Sequence, residues 1–204
     1  ITPEMARRAK AAYLGLTTVL DQNIGQILDA LEETGLADNT VVAYTSDHGD
    51  QAGEHGLWWK DTFYDGSVKV PMIWSCPPRF AAGVRVPHVT SLLDVAPTLT
   101  DLAEATPLPA ARGSSLRTFL ESGTPPADWP DTAFAETYAL EQRPARMICS
   151  GDWKLNLYHG YDQPQLFNLH DDPSESRDRG TDAECADIRD ELLSRVTDGW
   201  SGEW

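Results

Sequence analysis

Apolar residues in the first stretch of the chain recur at helical spacing. Leu20, Ile24, Ile27, Leu28 and Leu31 form a stripe on one face, extended backwards by Tyr13, Leu16 and Thr17. The pattern predicts one long amphipathic helix over 3–35, with Pro3 in its first turn, Gly35 as its stop and Asp38-Asn39 turning the chain after it. The period then changes. Residues 40–46, Thr-Val-Val-Ala-Tyr-Thr-Ser, are β-branched and nearly continuous in apolar character, which predicts a central strand of a parallel sheet buried on both faces. Residues 70–75 predict a second strand, with Pro71 confined to its start or to a sheet edge because proline has no N–H. A further helical stretch spans 90–103, where Pro97 either kinks the helix or opens its second part.

Residues 106–131 are rich in Pro, Gly, Ser and Ala and are expected to form a surface connection. Beyond them come short segments at 132–138, 146–150, 153–158 and 165–169, separated by turn residues. Gly151-Asp152 is placed to close a tight hairpin. These predict a small antiparallel sheet, then an acidic loop at Asp171-Asp172-Pro173. Ile188, Leu192, Leu193 and Val196 make a closing amphipathic helix. The expected class is α/β, divided into an α/β portion over 1–125 and a C-terminal subdomain of sheet plus helix over 126–204. No internal repeat is visible.

Composition narrows the function classes. The 32 acidic residues against 16 basic give a formal net charge of −16. Such a surface repels nucleic-acid phosphates and anionic lipid, so neither is an expected partner. An anionic substrate would need a locally positive pocket made of metal, Lys or Arg. No apolar run approaches the roughly 20 residues that cross a bilayer. Cys76, Cys149 and Cys185 are odd in number and lack CxxC spacing, which suggests reduced structural thiols and favours a cytoplasmic parent. The chain opens on Ile1-Thr2-Pro3-Glu4 with a long helix and no preceding strand for it to pack on, so we expect a fragment of a longer protein.

Candidate chemistry concentrates in residues 45–60. Asp47 and His48 sit side by side at the end of the predicted strand, where the chain stops alternating faces and two neighbours can turn toward one cation. Asp47 offers a hard oxygen suited to Ca²⁺, Mg²⁺ or Mn²⁺, and the nitrogen of His48 shifts the balance toward Mn²⁺ or Zn²⁺. Gly49, Gly53 and Gly56 permit tight turns and close backbone approach. The tripeptide Asp47-His48-Gly49 fits equally well a turn with a capping carboxylate and a hydrogen-bonded imidazole.

The stretch as a whole resembles the sulfatases of the alkaline phosphatase superfamily. That family shows an Asp-His or Asp-Asn pair after a buried strand, then Gly, then a Lys twelve residues beyond the pair's second member, the place of Lys60 here. Gly53-Glu54-His55-Gly56-Leu57-Trp58-Trp59-Lys60 is similar to the element in choline sulfatases, iduronate sulfatases and arylsulfatases. The likeness continues through Leu20–Gly25, Asp38–Val42, Val70–Ile73, Asp94–Leu99, Gly113–Leu116, Asp152–Leu155 and Gln165–Glu175. It implies the C-terminal part of an alkaline-phosphatase-like α/β sandwich followed by a small antiparallel sheet and a terminal helix. It also implies that Asp47 and His48 coordinate a divalent cation, Ca²⁺ first and Mn²⁺ second. Lys60 would contact the sulfate or the leaving oxygen of a small-molecule or carbohydrate sulfate ester. A fixed cation and an ammonium would stabilise charge where it grows as the S–O bond breaks.

Other residues carry several readings. His55 is a supporting partner of the site, part of the pocket wall, or a structural hydrogen-bonded histidine. Trp58 and Trp59 line a substrate pocket or seal a core edge. Arg146, Lys154, Tyr158 and His159 lie where hairpin loops could reach the pocket, and His88 carries no functional expectation. The family's nucleophile, a formylglycine made within Cys-x-Pro-x-Arg, has no counterpart in these 204 residues. Cys76-Pro77-Pro78-Arg79 is a near-miss whose arginine falls one place early for that pattern, and the family's paired aspartates are missing too. Residues 1–204 alone are therefore expected neither to hydrolyse sulfate esters nor to hold metal tightly. The competing readings are a phosphonate monoester or phosphodiester hydrolase of the same superfamily, and a non-catalytic binding module.

Overall fold

The computed structural model describes residues 1–137 and 144–198. Helix α1 runs Pro3–Glu33. The Thr2 hydroxyl accepts the Met5 N–H at 3.2 Å, and Pro3 takes a position where no N–H is needed. At the far end Gly35 adopts φ 70°, and the N–H groups of Gly35 and Leu36 return to the carbonyls of Glu32 and Leu31, closing the last turn. No residue of α1 is buried. Leu20, Ile27 and Leu28 of the predicted stripe stand exposed, with Ile24 and Leu31 half-buried.

Strand β1, Val42–Thr45, pairs with β4, Met72–Ser75, so that Val42 faces Ser75 and Thr45 faces Met72. The pairing is antiparallel, and burial alternates along both strands. This corrects the expectation of a parallel strand buried on both faces. A continuous apolar run does not encode strand direction. A parallel return needs a crossover, usually a long helix, whereas the chain between β1 and β4 is spent on short elements. These are the strands β2 (Gln51–Ala52) and β3 (Trp58–Trp59), paired with each other, and the four-residue helix α2 (Asp65–Val68).

Helix α3, Val95–Leu102, carries Pro97 in its first turn, so the proline opens the helix rather than kinking it. A capping box precedes it. Asp94 accepts the Ser91 N–H at 2.7 Å, and Ser91 accepts the Leu93 N–H at 3.2 Å. The other oxygen of buried Asp94 accepts the Ser114 N–H at 2.8 Å, and Thr98 accepts the Leu116 N–H at 2.9 Å. The 94–99 and 113–116 motifs thus meet in space. Gly113 is required there, since an added Cβ would lie 2.1 Å from the Leu93 carbonyl oxygen. Residues 106–131 are not wholly a connection: they contain helix α4, Arg117–Ser122, which buries Phe119 behind buried Leu116.

The C-terminal sheet has the order β5-β6-β7-β8, all antiparallel: Thr132–Thr137, Ala145–Ser150, Trp153–Tyr158 and Gln165–Asn168. Tyr138, the expected end of the first of these strands, lies outside the described residues. Gly151 at φ 52° turns the β6-β7 hairpin. One face of the sheet packs Ile148, Leu155 and Leu166 against Leu192 and Val196 of α5, Ala186–Asp198. The other face packs Ala145 and Met147 against Phe63, with Val68 and Tyr158 around them. The segment following Lys60 is therefore a lining of the C-terminal sheet.

Candidate active site

Chain geometry at the end of β1 is set by a close backbone approach. The Gly49 N–H donates to the Ser67 carbonyl at 2.7 Å, and a Cβ on Gly49 would lie 2.2 Å from the Gly66 carbonyl oxygen. Only glycine lets the strand exit lie against the α2 turn. Upstream of it, the His48 N–H donates to Asp47 Oδ1 at 3.0 Å, and the Ser46 hydroxyl donates to the His48 carbonyl at 2.8 Å. The Asp47 carboxylate is 86% exposed. Its slight burial pushes its pKa up, and the neighbouring His48 ring and the N–H bonds outweigh that, so the group sits below the usual carboxylate range.

His48 is oriented from both sides. Its Nδ1 lies 2.7 Å from the Gly49 carbonyl oxygen, a group that can only accept, so Nδ1 carries the proton and Nε2 presents a lone pair. The Lys60 Nζ sits 2.9 Å from that Nε2, and Asp47 Oδ2 lies 3.6 Å from it. Asp47, His48 and Lys60 thus come together in the lining of a cleft of about 900 Å³, which His88, Glu136, Asp152 and His170 also line. Among the described residues no group of three or more His, Cys, Asp and Glu side chains is arranged to hold a metal ion. Asp47 and His48 fit two places of a coordination shell, one oxygen and one correctly oriented nitrogen. Ca²⁺ wants six to eight oxygens, so further ligands would have to come from elsewhere.

The remaining sequence candidates divide. Lys154 lines the cleft from within β7 rather than from a hairpin loop, and its ammonium is consumed by bonds to Phe63, Asp65 and Glu175. Cys149 also lines it, and burial pushes its thiol up to about 11, leaving it a poor nucleophile. Cys76, Cys149 and Cys185 are all free thiols. His55, Trp58 and Trp59 are not among the residues lining the cleft. His55, at φ 54°, stacks on Tyr64 with ring centroids 3.8 Å apart, Trp58 packs over Gly53, and Trp59 is 78% exposed. Arg146, Tyr158 and His159 do not line it either; Tyr158 lies on the Phe63 face of the sheet, where burial drives its hydroxyl pKa upward. Asp65 and Glu175 were not foreseen. The signal for Glu175 lay in the 165–175 motif, and Asp65 had none.

The sulfatase family model matches residues 2–105, half of the chain and the whole of the Asp47-His48-Lys60 region. The chain belongs to the sulfatase family. It is 36% identical over 180 residues to the choline-sulfatase of Rhizobium meliloti, covering 86% of this chain and 34% of that protein. The N-acetylglucosamine-6-O-sulfatase of Bacteroides thetaiotaomicron is 34% identical, over 89% of this chain and 34% of its own length. The chain therefore spans about a third of the curated relatives it matches. Among solved structures, BT4656 in complex with its substrate D-glucosamine-2-N,6-O-disulfate superposes with a TM-score of 0.81 at 31% identity, over 92% of this chain and 39% of that one. The phosphonate monoester hydrolase of Agrobacterium radiobacter gives 0.80 at 30% identity, over 91% and 40%. These likenesses cover more than nine-tenths of the chain and give its fold as alkaline-phosphatase-like, with the small antiparallel sheet and terminal helix included.

Proposed function

We propose that residues 1–204 form the C-terminal part of a sulfatase that hydrolyses sulfate esters, and that they contribute two metal ligands and one sulfate-binding ammonium. The observation that carries this reading is the convergence of Asp47, His48 and Lys60 in the lining of one cleft within the family-matched segment. Asp47 and His48 would hold the divalent cation, Ca²⁺ by preference and Mn²⁺ as the alternative, together with ligands outside these residues. When bound, that cation supplies positive charge to the sulfuryl oxygens. Lys60, which lies against His48 Nε2 and would be released from it once that lone pair goes to the cation, donates to a sulfate oxygen or to the oxygen leaving with the alcohol, where charge grows as the S–O bond breaks. The Nδ1–H of His48 stays on the Gly49 carbonyl and keeps Nε2 turned inward. The nucleophile, formylglycine by resemblance, lies outside residues 1–204. A cleft of about 900 Å³ falls in the range of small-ligand pockets and admits a sugar-sized ester. A sulfated carbohydrate is the substrate class supported by the N-acetylglucosamine-6-O-sulfatase and by the disulfated glucosamine complex.

A second reading is favoured by one observation. The phosphonate monoester hydrolase of Agrobacterium radiobacter is as similar in fold and identity as the sulfated-glucosamine complex. The deciding experiment compares the whole enzyme on an aryl sulfate and on an aryl phosphonate monoester. Higher kcat/KM on the sulfate is expected; preference for the phosphonate replaces the first reading with the second. Residues 1–204 alone are expected to turn over neither ester in Ca²⁺ or Mn²⁺, and sulfate release by them would overturn the assignment of the nucleophile elsewhere.

A further inference from the structure

We propose that Lys154, Asp65 and Glu175 form a buried clamp through which the C-terminal sheet positions Lys60. The importance of Lys60 rests on the reading above; the clamp itself rests on geometry. Lys154 Nζ donates to the Phe63 carbonyl at 3.0 Å, to Glu175 Oε1 at 2.7 Å and to Asp65 Oδ1, so each of its three protons has an acceptor. Glu175 Oε2 accepts the Asp65 N–H at 2.5 Å. The side chains of Lys154 and Glu175 are each 2% exposed. An ammonium on β7 and a carboxylate from the loop after β8 thus grip residues 63 and 65, three and five positions past Lys60.

The segment between has reason to need holding. Trp59 and Asp61, which bracket Lys60, have φ 71° and 70°, and Glu175 has φ 52°. L residues with side chains avoid this region, and such conformations persist where the surroundings over-determine them. Phe63 is buried against Ala145 and Met147, and Tyr64 is stacked on His55. The clamp secures the far end of that segment, while the β2-β3 pairing of Gln51 with Trp59 secures the near end. Lys60 is left between two anchors with its ammonium on His48. Lys154, Asp65 and Glu175 are positioning residues: Lys154 acts through Lys60, and its own charge is fully occupied by protein.

The test uses the whole enzyme, its Lys154→Met variant and its double variant Asp65→Asn/Glu175→Gln, which keeps side-chain shape while removing both charges. Backbone ¹⁵N order parameters are measured at 60–62 and at Ile148 and Leu155, together with the ¹⁵N resonance of His48 Nε2. The expected result for the double variant is a fall at 60–62 from about 0.85 to below about 0.6, unchanged values at Ile148 and Leu155, and a displaced His48 Nε2 signal as Lys60 leaves it. Unchanged order at 60–62 overturns the proposal. Equal loss of order in the sheet also overturns it, by showing a structural staple and nothing more. Lys154→Met is read the same way if it folds, and if it does not, the double variant decides. No readout uses turnover, so these results stand apart from whether the whole enzyme cleaves sulfate or phosphonate.

Discussion

Asp65 and Glu175 share one buried ammonium, and for Asp65 that arrangement makes protonation part of the folding equilibrium. Burial alone pushes the Asp65 carboxyl up; the charge and hydrogen bond of Lys154 outweigh it, and the group sits below its ordinary 3.8. A folded-state pKa below the unfolded one gives stability that is complete above the unfolded value and lost as pH falls through the folded one. Thermal unfolding from pH 6 down to pH 2 is therefore expected to show the chain losing stability below about pH 4, and losing less in Asp65→Asn. Parallel pH profiles would remove Asp65 from the linkage. Lys154→Met leaves two carboxylates without their cation and is expected to cost about 3–5 kcal/mol in denaturant unfolding, more than the double variant that neutralises both acids. Gly49→Ala places a Cβ 2.2 Å from a backbone oxygen and is expected to cost about 1–3 kcal/mol. Of these residues, Asp47, His48 and Lys60 were legible as a group through their spacing. The burial of Lys154 was not, because Trp153, Leu155 and Leu157 alternate with Lys154, Asn156 and Tyr158 as they would in a strand with one wet face. What covers the second face is Phe63, ninety residues away in sequence and silent in any local pattern.

At the level of elements, the helices and strands divide by whether their apolar sides found partners. Helix α5 buries Leu192 and Val196 fully against the sheet, and Leu192→Ala is expected to cost about 2–5 kcal/mol. The stripe of α1 has the same periodicity and stands open, so Leu20→Glu/Ile27→Glu is expected to change the stability of residues 1–204 by no more than about 0.5 kcal/mol per site. Chemical denaturation of the two variants side by side tests the contrast; a large loss in the α1 variant would place that face in a core. Periodicity gave α1 and α5, whose apolar residues recur at helical spacing, and the turn residues between short segments gave the four strands of the C-terminal sheet. It misjudged the direction of β1, which depends on the path of the chain between β1 and β4. Helix α4 was hidden because Pro, Gly and Ser around it outweighed Leu116, Phe119 and Leu120 at helical spacing.

Over the whole molecule, a net charge of −16 opposes the approach of a sulfate ester. The cleft relieves this only in part. Lys154 is neutralised by Asp65 and Glu175, and Lys69 pairs with Asp65 at 3.1 Å, which leaves Lys60 as the cation beside His48. On the proposed reading, a cation on Asp47 and His48 would complete the positive field that the protein surface lacks, so substrate affinity in the whole enzyme and metal occupancy are expected to fall together. Two halves of the described chain contribute: the family-matched segment presents Asp47, His48 and Lys60, and the C-terminal sheet lines the cleft and holds residues 63 and 65.

The most direct measurement is kcat/KM of the whole enzyme on an aryl sulfate with Lys60→Ala and Asp47→Ala set against the unchanged protein. Both variants are predicted to fold and to lose on the order of 100- to 1,000-fold, the scale of removing one group that stabilises charge in the transition state. Sulfate hydrolysis at the unchanged rate in either variant would contradict the site assembled here from Asp47, His48 and Lys60.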